Sequence, residues 1–398
     1  MPIPCFATGE SAMIRAGSVR RAFIIVVTTS VLVLFTSMTA SARTTVPPGQ
    51  AGLDTLMKSY GSTYKDLIGG SFWQAAVAQS TLETYDQATG KTSYLGDIAN
   101  TYRKYVNGPI PAGKLPDFED NYTDDTAWWG LAWLQAYLIT KNVNYLHVAE
   151  ADANFIHQQW DTDSSSCGGT GGVWWLITSS GGTGRLVIPN GLFLELTAWL
   201  HNVIPGDTTY LNWAEAEWTW LSSTGLVNKF YLAWDGFTSA PQCSYAAPYW
   251  SYNMGSVIAG LAQLYVATKN IGLLTEAQTI AANSITYLAP NGVLTDSCEP
   301  AGCRNNEQSF KGIFIRDLRM LATIAGSSAY ASFFRAQSRS VQAHDTSTGE
   351  KFGLLWTGPI KKSCTTSTTP TSRGAAANVC TSYTQASAED AIVAALGS

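Results

Sequence analysis

The chain has 398 residues, 13% of them charged, 45% hydrophobic and 12% aromatic, with 14 Trp, 7 Cys and a formal charge of −5. The charged fraction is about half the usual ~25%, and the apolar residues suffice for a large core, so a charge-rich disordered chain is excluded. With an acidic balance and no basic face to neutralise phosphates, nucleic acid is not an expected partner.

The first element in chain order is a run without charge, residues 22–42, AFIIVVTTSVLVLFTSMTASA, preceded by Arg15, Arg20 and Arg21. It ends in Ala40-Ser41-Ala42, a small-residue cleavage pattern. We read 1–42 as a secretory signal and 43–398 as a single domain. The rival is a signal anchor, because the run is nearly long enough to span a bilayer. Met13 is a second candidate start. Cleavage removes Cys5 and leaves an even set: Cys167, Cys243, Cys298, Cys303, Cys364 and Cys380. That suits a disulfide-bonded protein that is secreted, extracellular or attached to a cell wall, with no membrane association after cleavage. Spacing favours Cys298–Cys303 and Cys364–Cys380 as local pairs, leaving Cys167–Cys243, although six cysteines allow about 15 pairings. Zinc is a poor alternative, since there is no C-x-x-C and the four His are scattered.

Helical apolar spacing recurs over roughly 71–88, 125–140, 190–203, 250–268 and 305–325, each followed by a short turn and a second helix. The second helices open alike, as SYLGDIA, NYLHVAEA, TYLNWAEA, GLLTEAQTIAA and AYASFFRAQ, at intervals of 51 to 65 residues. A repeat of that period is a repeated supersecondary unit, here a helical hairpin. Thr92, Asn144 and Thr209 stand where helix caps are expected. Segments 51–60 and 384–396 supply a sixth pair that closes the ring. The expected fold is all-α: an (α/α)6 barrel of six helical hairpins in two concentric layers, the first helix of each pair inside. An open solenoid would expose apolar ends, and no polar capping repeats are seen. The long connections 161–189, 225–249 and 289–304 then emerge at one end, where loops of that length are usually functional. Segment 346–383, rich in Ser and Thr, reads as an ordered loop held by two cysteines.

The string Asn121-Tyr122-Thr123-Asp124-Asp125-Thr126-Ala127-Trp128-Trp129 opens one inner helix. Taken alone, two Asp at a helix start are capping residues that suit the dipole. On an inner helix the same pair reaches the barrel mouth. Consecutive Cα atoms lie ~3.8 Å apart, and retaining glycosidases need carboxyls ~5–5.5 Å apart, one attacking the anomeric carbon and one protonating the leaving oxygen. Like charge raises one pKa while the helix start lowers the other. Indoles stack on sugar faces, so Trp128 or Trp129 fits a sugar site, although at about 100° apart only one of them faces the cavity well. Asn121-Tyr122-Thr123 is also an N-glycosylation sequon at the lip.

The element DDTAWWGLAWLQAYLIT resembles the DD-x-x-WW-x-L-A-W element of glycoside hydrolase family 76, the endo-α-1,6-mannanases. Further matches follow in order: Gly171-Gly172-Val173-Trp174-Trp175, Asn190-Gly191-Leu192-Phe193-Leu194, Trp234-Asp235-Gly236, Trp250-Ser251-Tyr252-Asn253-Met254-Gly255 and Phe310-Lys311-Gly312-Ile313-Phe314. The likeness covers about residues 70–325. It implies retaining hydrolysis of α-1,6-linked mannose in mannan or mannose-containing cell-wall oligosaccharides, with Asp124 the nucleophile and Asp125 the acid/base. Physical argument gives the pair but not this split. Trp128, Trp129, Trp174, Trp175, Asn190, Asp235, Tyr252, Asn253 and Lys311 are the expected substrate-binding residues. Most have a bland alternative: a core indole for the Trp residues, a DG turn for Asp235, a cap for Asn253. For Lys311 it is a buried cation that needs a carboxylate, which places it near the acids. Met254 replaces the family's usual Gln, so altered sugar contacts are expected there. No cofactor and no catalytic metal are expected; calcium near Asp161 and Asp163 stays open, as does oligomeric state. Transglycosylation would use the same covalent intermediate. The contrasting reading is a non-catalytic glycan-binding cell-wall protein on the same barrel. A third is another (α/α)6 enzyme, an inverting glycosidase or a polysaccharide lyase. Inversion needs carboxyls ~6.5–9.5 Å apart, and lyases of uronic acids favour a basic cleft.

Overall fold

A computed structural model describes residues 47–59, 67–68, 71–106, 114–178, 181–360, 362–367 and 379–397. The signal-peptide reading of 1–42 and its boundary lie outside them. Six helices form a closed inner ring: α2 (Phe72–Thr89), α4 (Thr123–Thr140), α6 (Val187–Val203), α8 (Ser251–Thr268), α10 (Phe310–Ile324) and α12 (Ser382–Ala394). Each packs on the next, and α12 packs on both α10 and α2. The outer layer is α1 (Gln50–Ser59), α3 (Leu95–Tyr105), α5 (Val143–His157), α7 (Thr209–Ser223), α9 (Ile271–Leu288) and α11 (Ala331–His344). α1 packs on α12, so the first and last helices complete the sixth hairpin. The ring of the expected (α/α)6 barrel is therefore closed rather than solenoidal.

Layer follows from burial demand. Inner helices are enclosed by two neighbours and the outer layer, so α4 is buried almost continuously from Thr126 to Ala136. An outer helix such as α3 buries one stripe, Ile98, Thr101 and Tyr105, and leaves the rest to water. Inner helices approach closely because glycine faces the neighbour. A Cβ on Gly191 would lie 2.2 Å from Ser256 Oγ, and one on Gly312 would lie 2.4 Å from Ser387 Cα.

The expected caps Thr92, Asn144 and Thr209 do not cap. Carboxylates and an amide from before each helix, one of them in the last turn of α2, do so instead. Asp86 accepts from the Ser93 and Tyr94 N–H groups at 3.0 and 3.1 Å. Asn142 accepts from Asn144 N–H at 3.2 Å, and Asp207 from Thr209 N–H at 2.9 Å. At α5 and α7 a side chain two residues earlier reaches free N–H groups that Asn144 and Thr209, already inside the first turn, cannot; at α3 the acceptor comes from the last turn of α2.

The connections α5–α6, α7–α8 and α9–α10 gather at the N-terminal end of the inner ring. Two carry small antiparallel ladders that apolar periodicity did not announce: β1 (Leu176–Thr178) with β2 (Gly181–Thr183), and β3 (Gly236–Phe237) with β4 (Tyr245–Ala246). After α11 come β5 (Thr346–Ser347) with β6 (Lys351–Phe352), then β7 (Thr365–Ser367) parallel to β8 (Val379–Thr381). The disulfides are Cys167–Cys243, Cys298–Cys303 and Cys364–Cys380. The first ties the α5–α6 loop to the α7–α8 loop. Among the described residues no helix is long and apolar enough to cross a membrane.

Candidate active site

The start of α4 is fixed from outside the helix. Thr123 N–H donates to the Trp175 carbonyl at 2.9 Å, the Thr123 hydroxyl donates to the Trp174 carbonyl at 2.6 Å, and Ile177 N–H donates to Asn121 O at 2.8 Å. The α5–α6 loop is thus zipped to the strand entering α4. No side chain caps the helix, and Asp124 and Asp125 are left in its first turn, free for other work.

Both carboxyls line a cavity of about 990 Å³ at the N-terminal mouth of the inner ring. Its walls come from every side: Trp73 and Trp128, Tyr122 and Trp175, Asp235, Trp250 and Tyr252, Phe310, and the turn Arg304–Glu307. Trp175 packs at 4.8 Å from the Tyr122 ring and Trp73 stacks on Trp128 at 6.0 Å. Tyr252 lies flat on Phe310, ring centroids 3.6 Å apart, with Trp250 edge-on at 5.4 Å. Gln74 Nε2 donates to Asn306 Oδ1 at 2.9 Å and ties the far rim to α2.

The electrostatics separate the two acids. Burial raises Asp124 to about 6, opposed by the Trp175 side chain, by backbone N–H groups of the first turn and by Lys114. Burial and the neighbouring Asp124 charge push Asp125 further, to about 8, with Lys114 opposing. The two titrate as a pair. Lys114 Nζ sits 3.4 Å from Asp125 Oδ2 and is anchored by an ion pair with buried Asp120. Asp124 Oδ1 is buried without a hydrogen-bond partner among the described residues. Across the cavity Asp235 is raised by burial and held by Asn253 Nδ2 at 3.2 Å and by the Trp250 side chain.

Residues 51–393 match the family model of glycosyl hydrolase family 76. The chain belongs to that family. A putative mannan endo-1,6-alpha-mannosidase of Schizosaccharomyces pombe is 29% identical over 294 residues, covering 68% of this chain and 64% of the relative. The mannan endo-1,6-alpha-mannosidase DCW1 of Candida albicans is 31% identical over 224 residues, covering 50% and 47%. The chain therefore spans between about half and just under two thirds of the length of these relatives. Among solved structures, the α-1,6-mannanase of a Salegentibacter species aligns with a TM-score of 0.70 at 19% identity, covering 87% of this chain and 98% of the other. It is an inactive variant with two consecutive aspartates changed to asparagine, in complex with α-1,6-mannotriose. Dfg5 from Chaetomium thermophilum, in complex with glucosamine, aligns at 0.68 and 19%, covering 83% and 81%. These likenesses show the α/α barrel fold.

In this family-76 chain the motif residues divide. Asp124, Asp125, Trp128, Trp175, Asp235 and Tyr252 meet in the cavity. The other expected contacts do not line it. Trp129 is fully buried between Phe72, Phe118 and Trp133, about 100° round the helix from Trp128. Trp174 covers the Arg185 guanidinium, which is sandwiched against Trp220 and paired with Asp161. Asp161 also accepts from Asp163 N–H at 2.8 Å. Asn190 is buried, donating to the carbonyls of Val173 and Leu186 and accepting from Val173 N–H, so it fixes the loop and not a sugar. Asn253 is buried behind Asp235 and orients it. Lys311 finds its carboxylate away from the acids: Glu299 at 2.7 Å, with the Leu354 carbonyl at 2.8 Å and the Trp356 ring at 4.4 Å. Met254 points at α9, its sulfur accepting from Ser284 Oγ at 3.0 Å, so the departure at this position does not reach the sugar side. Sequence reasoning missed two sets of lining residues: Tyr122, Trp250 and Phe310 line the cavity from within the motifs but are assigned no role there, and Leu186, Lys114, Trp73 and Arg304–Glu307 line it from outside them. Lys114, Trp73 and Arg304–Glu307 carry no motif, since they enter from neighbouring loops and from the start of α2. One grouping of metal-ligand type occurs among the described residues, Cys298, Cys303 and Glu307, and its two sulfurs are bonded to each other.

Proposed function

We propose that the protein is a secreted retaining glycoside hydrolase that cleaves internal α-1,6-mannosidic bonds in mannan or mannose-containing cell-wall glycans. One observation carries the reading: two consecutive carboxyls of unequal acidity, at an inner-helix start, in an aromatic-walled cavity. Asp124, the more acidic, attacks the anomeric carbon. Asp125, holding its proton to higher pH, gives that proton to the departing glycosidic oxygen. The C–O bond breaks as the Asp124 ester forms. Asp125, now a carboxylate, takes a proton from water, whose oxygen displaces Asp124 and restores both groups. Trp175, Tyr252 and Trp128 offer faces for sugar rings, and Asp235 offers acceptors for hydroxyls. The naming of the fungal relatives and the mannotriose held by the bacterial α-1,6-mannanase support the substrate class. Secretion rests on the cleavable run before residue 43 and on three disulfides, which a reducing cytosol would not sustain.

The test is turnover of linear α-1,6-mannotetraose. Asp125→Asn should lose about 10²–10⁴-fold in kcat, the range of a lost general acid, and Asp124→Asn, which lacks the nucleophile, should show no turnover, while both still bind the oligosaccharide. A wild-type chain that binds the oligosaccharide and never cleaves it would instead favour the non-catalytic glycan-binding reading.

A further inference from the structure

The barrel holds a second cavity, of about 440 Å³, at its other end. Its mouth is marked by Gln87 and Leu138, in the last turns of α2 and α4, and by Ile324, the last residue of α10. That volume falls within the ~300–1,000 Å³ of small-molecule sites. Trp128 lines both cavities, so it stands at the boundary between them.

Its chemistry is that of a polar ligand site. Glu195 and Asp317 line it, each 3% exposed, and Glu195 Oε2 and Asp317 Oδ2 have no hydrogen-bond partner among the described residues. Arg316 and Arg319 line it too. Arg316 is only loosely held, with Asp390 at 3.5 Å and the Val77 carbonyl at 3.3 Å. Arg316 pairs with Asp390, and burial raises Glu195 and Asp317, so these two carboxyls enter as hydrogen-bonding groups and not as full counter-charges. Unsatisfied acceptors beside guanidinium donors call for a ligand with many hydroxyls, because an unpaired buried polar group costs ~1–3 kcal/mol. Trp128 and Trp199 supply apolar faces of the kind that pack on a saturated ring carrying axial hydrogens.

We propose that this rear cavity is a binding site for a neutral, hexose-sized polyhydroxylated ligand, separate from the cleft of Asp124 and Asp125. It does not depend on the cleavage reading, since none of its own polar groups lines that cleft.

The probe is free mannose, with glucose beside it, titrated by ligand-observed NMR against the full chain. Four proteins are compared: wild type, Trp199→Leu, Arg319→Met and the cleft variant Trp175→Ala. Trp199 and Arg319 are half-buried at the rear mouth, so both substitutions should leave the thermal midpoint and oligosaccharide turnover near wild type. The expected result is saturable hexose binding that survives in Trp175→Ala and weakens by roughly tenfold or more in both rear variants, as expected for a lost charged hydrogen bond or stacking face. Binding lost in Trp175→Ala and kept in both rear variants would overturn the proposal. So would the absence of saturable binding in wild type, or tighter rear-cavity binding of inorganic phosphate than of either hexose.

Discussion

At the scale of single residues, the instructive pair is Trp128 and Trp129. Consecutive side chains on a helix diverge by about 100°, so one indole enters the cleft while its neighbour fills the core against Phe118, centroids 4.7 Å apart. A motif string thus mixes site with scaffold, and the same mixing explains why Asn190, Asn253 and Lys311 serve the fold. Trp129→Ala should cost about 3–5 kcal/mol of stability, measured by denaturant unfolding, whereas Trp175→Ala should raise KM and leave the midpoint nearly unchanged. Acidity belongs to this scale as well. The productive state has Asp124 ionised and Asp125 protonated. Activity should therefore fall below about pH 6, as Asp124 takes up a proton, and above about pH 8, as Asp125 loses its own. Lys114 opposes the rise of Asp125. Lys114→Met should move the alkaline limb of kcat/KM to higher pH, and an unmoved limb would remove Lys114 from the electrostatics of the pair.

At the scale of elements, helices were legible because apolar spacing has a period, and the hairpin count because the second helices open alike. Loops were not. Their ladders β1–β2 and β3–β4 are too short for alternation to show, and they place Trp175 and Asp235 at the mouth through backbone pairing. The cap residues were misplaced for a related reason: Asp86, six positions before Thr92, and Asp207, two before Thr209, act from outside the first turn that they satisfy. Contacts between inner helices rest on glycine, a feature legible only when neighbours are known. Gly312→Ala drives a methyl toward backbone atoms of α12, which side-chain rotation cannot relieve. It should cost about 1–3 kcal/mol, the overpacking range, read from the shift in denaturant midpoint.

At the scale of the whole molecule, the low charge count reflects a double helical layer in which even the carboxyls are buried. Glu83, Glu195, Glu217 and Glu389 are raised well above their usual range, burial being the largest cause. Asp317 and Asp390 are raised to about 7 and Asp345 to about 8, also by burial. A carboxyl whose folded pKa lies above its unfolded value of about 4 binds its proton more tightly when folded, so stability falls as pH rises between the two values. The thermal midpoint should therefore be higher near about pH 5 than near about pH 8, and an opposite slope would contradict the burial of these groups. Closure of the ring by α1 and α12 sets the long loops around the mouth where the inner helices start, and the aromatic excess divides between the two layers and that mouth. The central claim is that Asp124 and Asp125 at this mouth perform retaining cleavage. It is tested most directly by following the anomeric proton of the first product released from α-1,6-mannotetraose. The account predicts an α-anomer formed before mutarotation, and none from Asp124→Asn. A β-anomer as first product, or undiminished cleavage by Asp124→Asn, would contradict it.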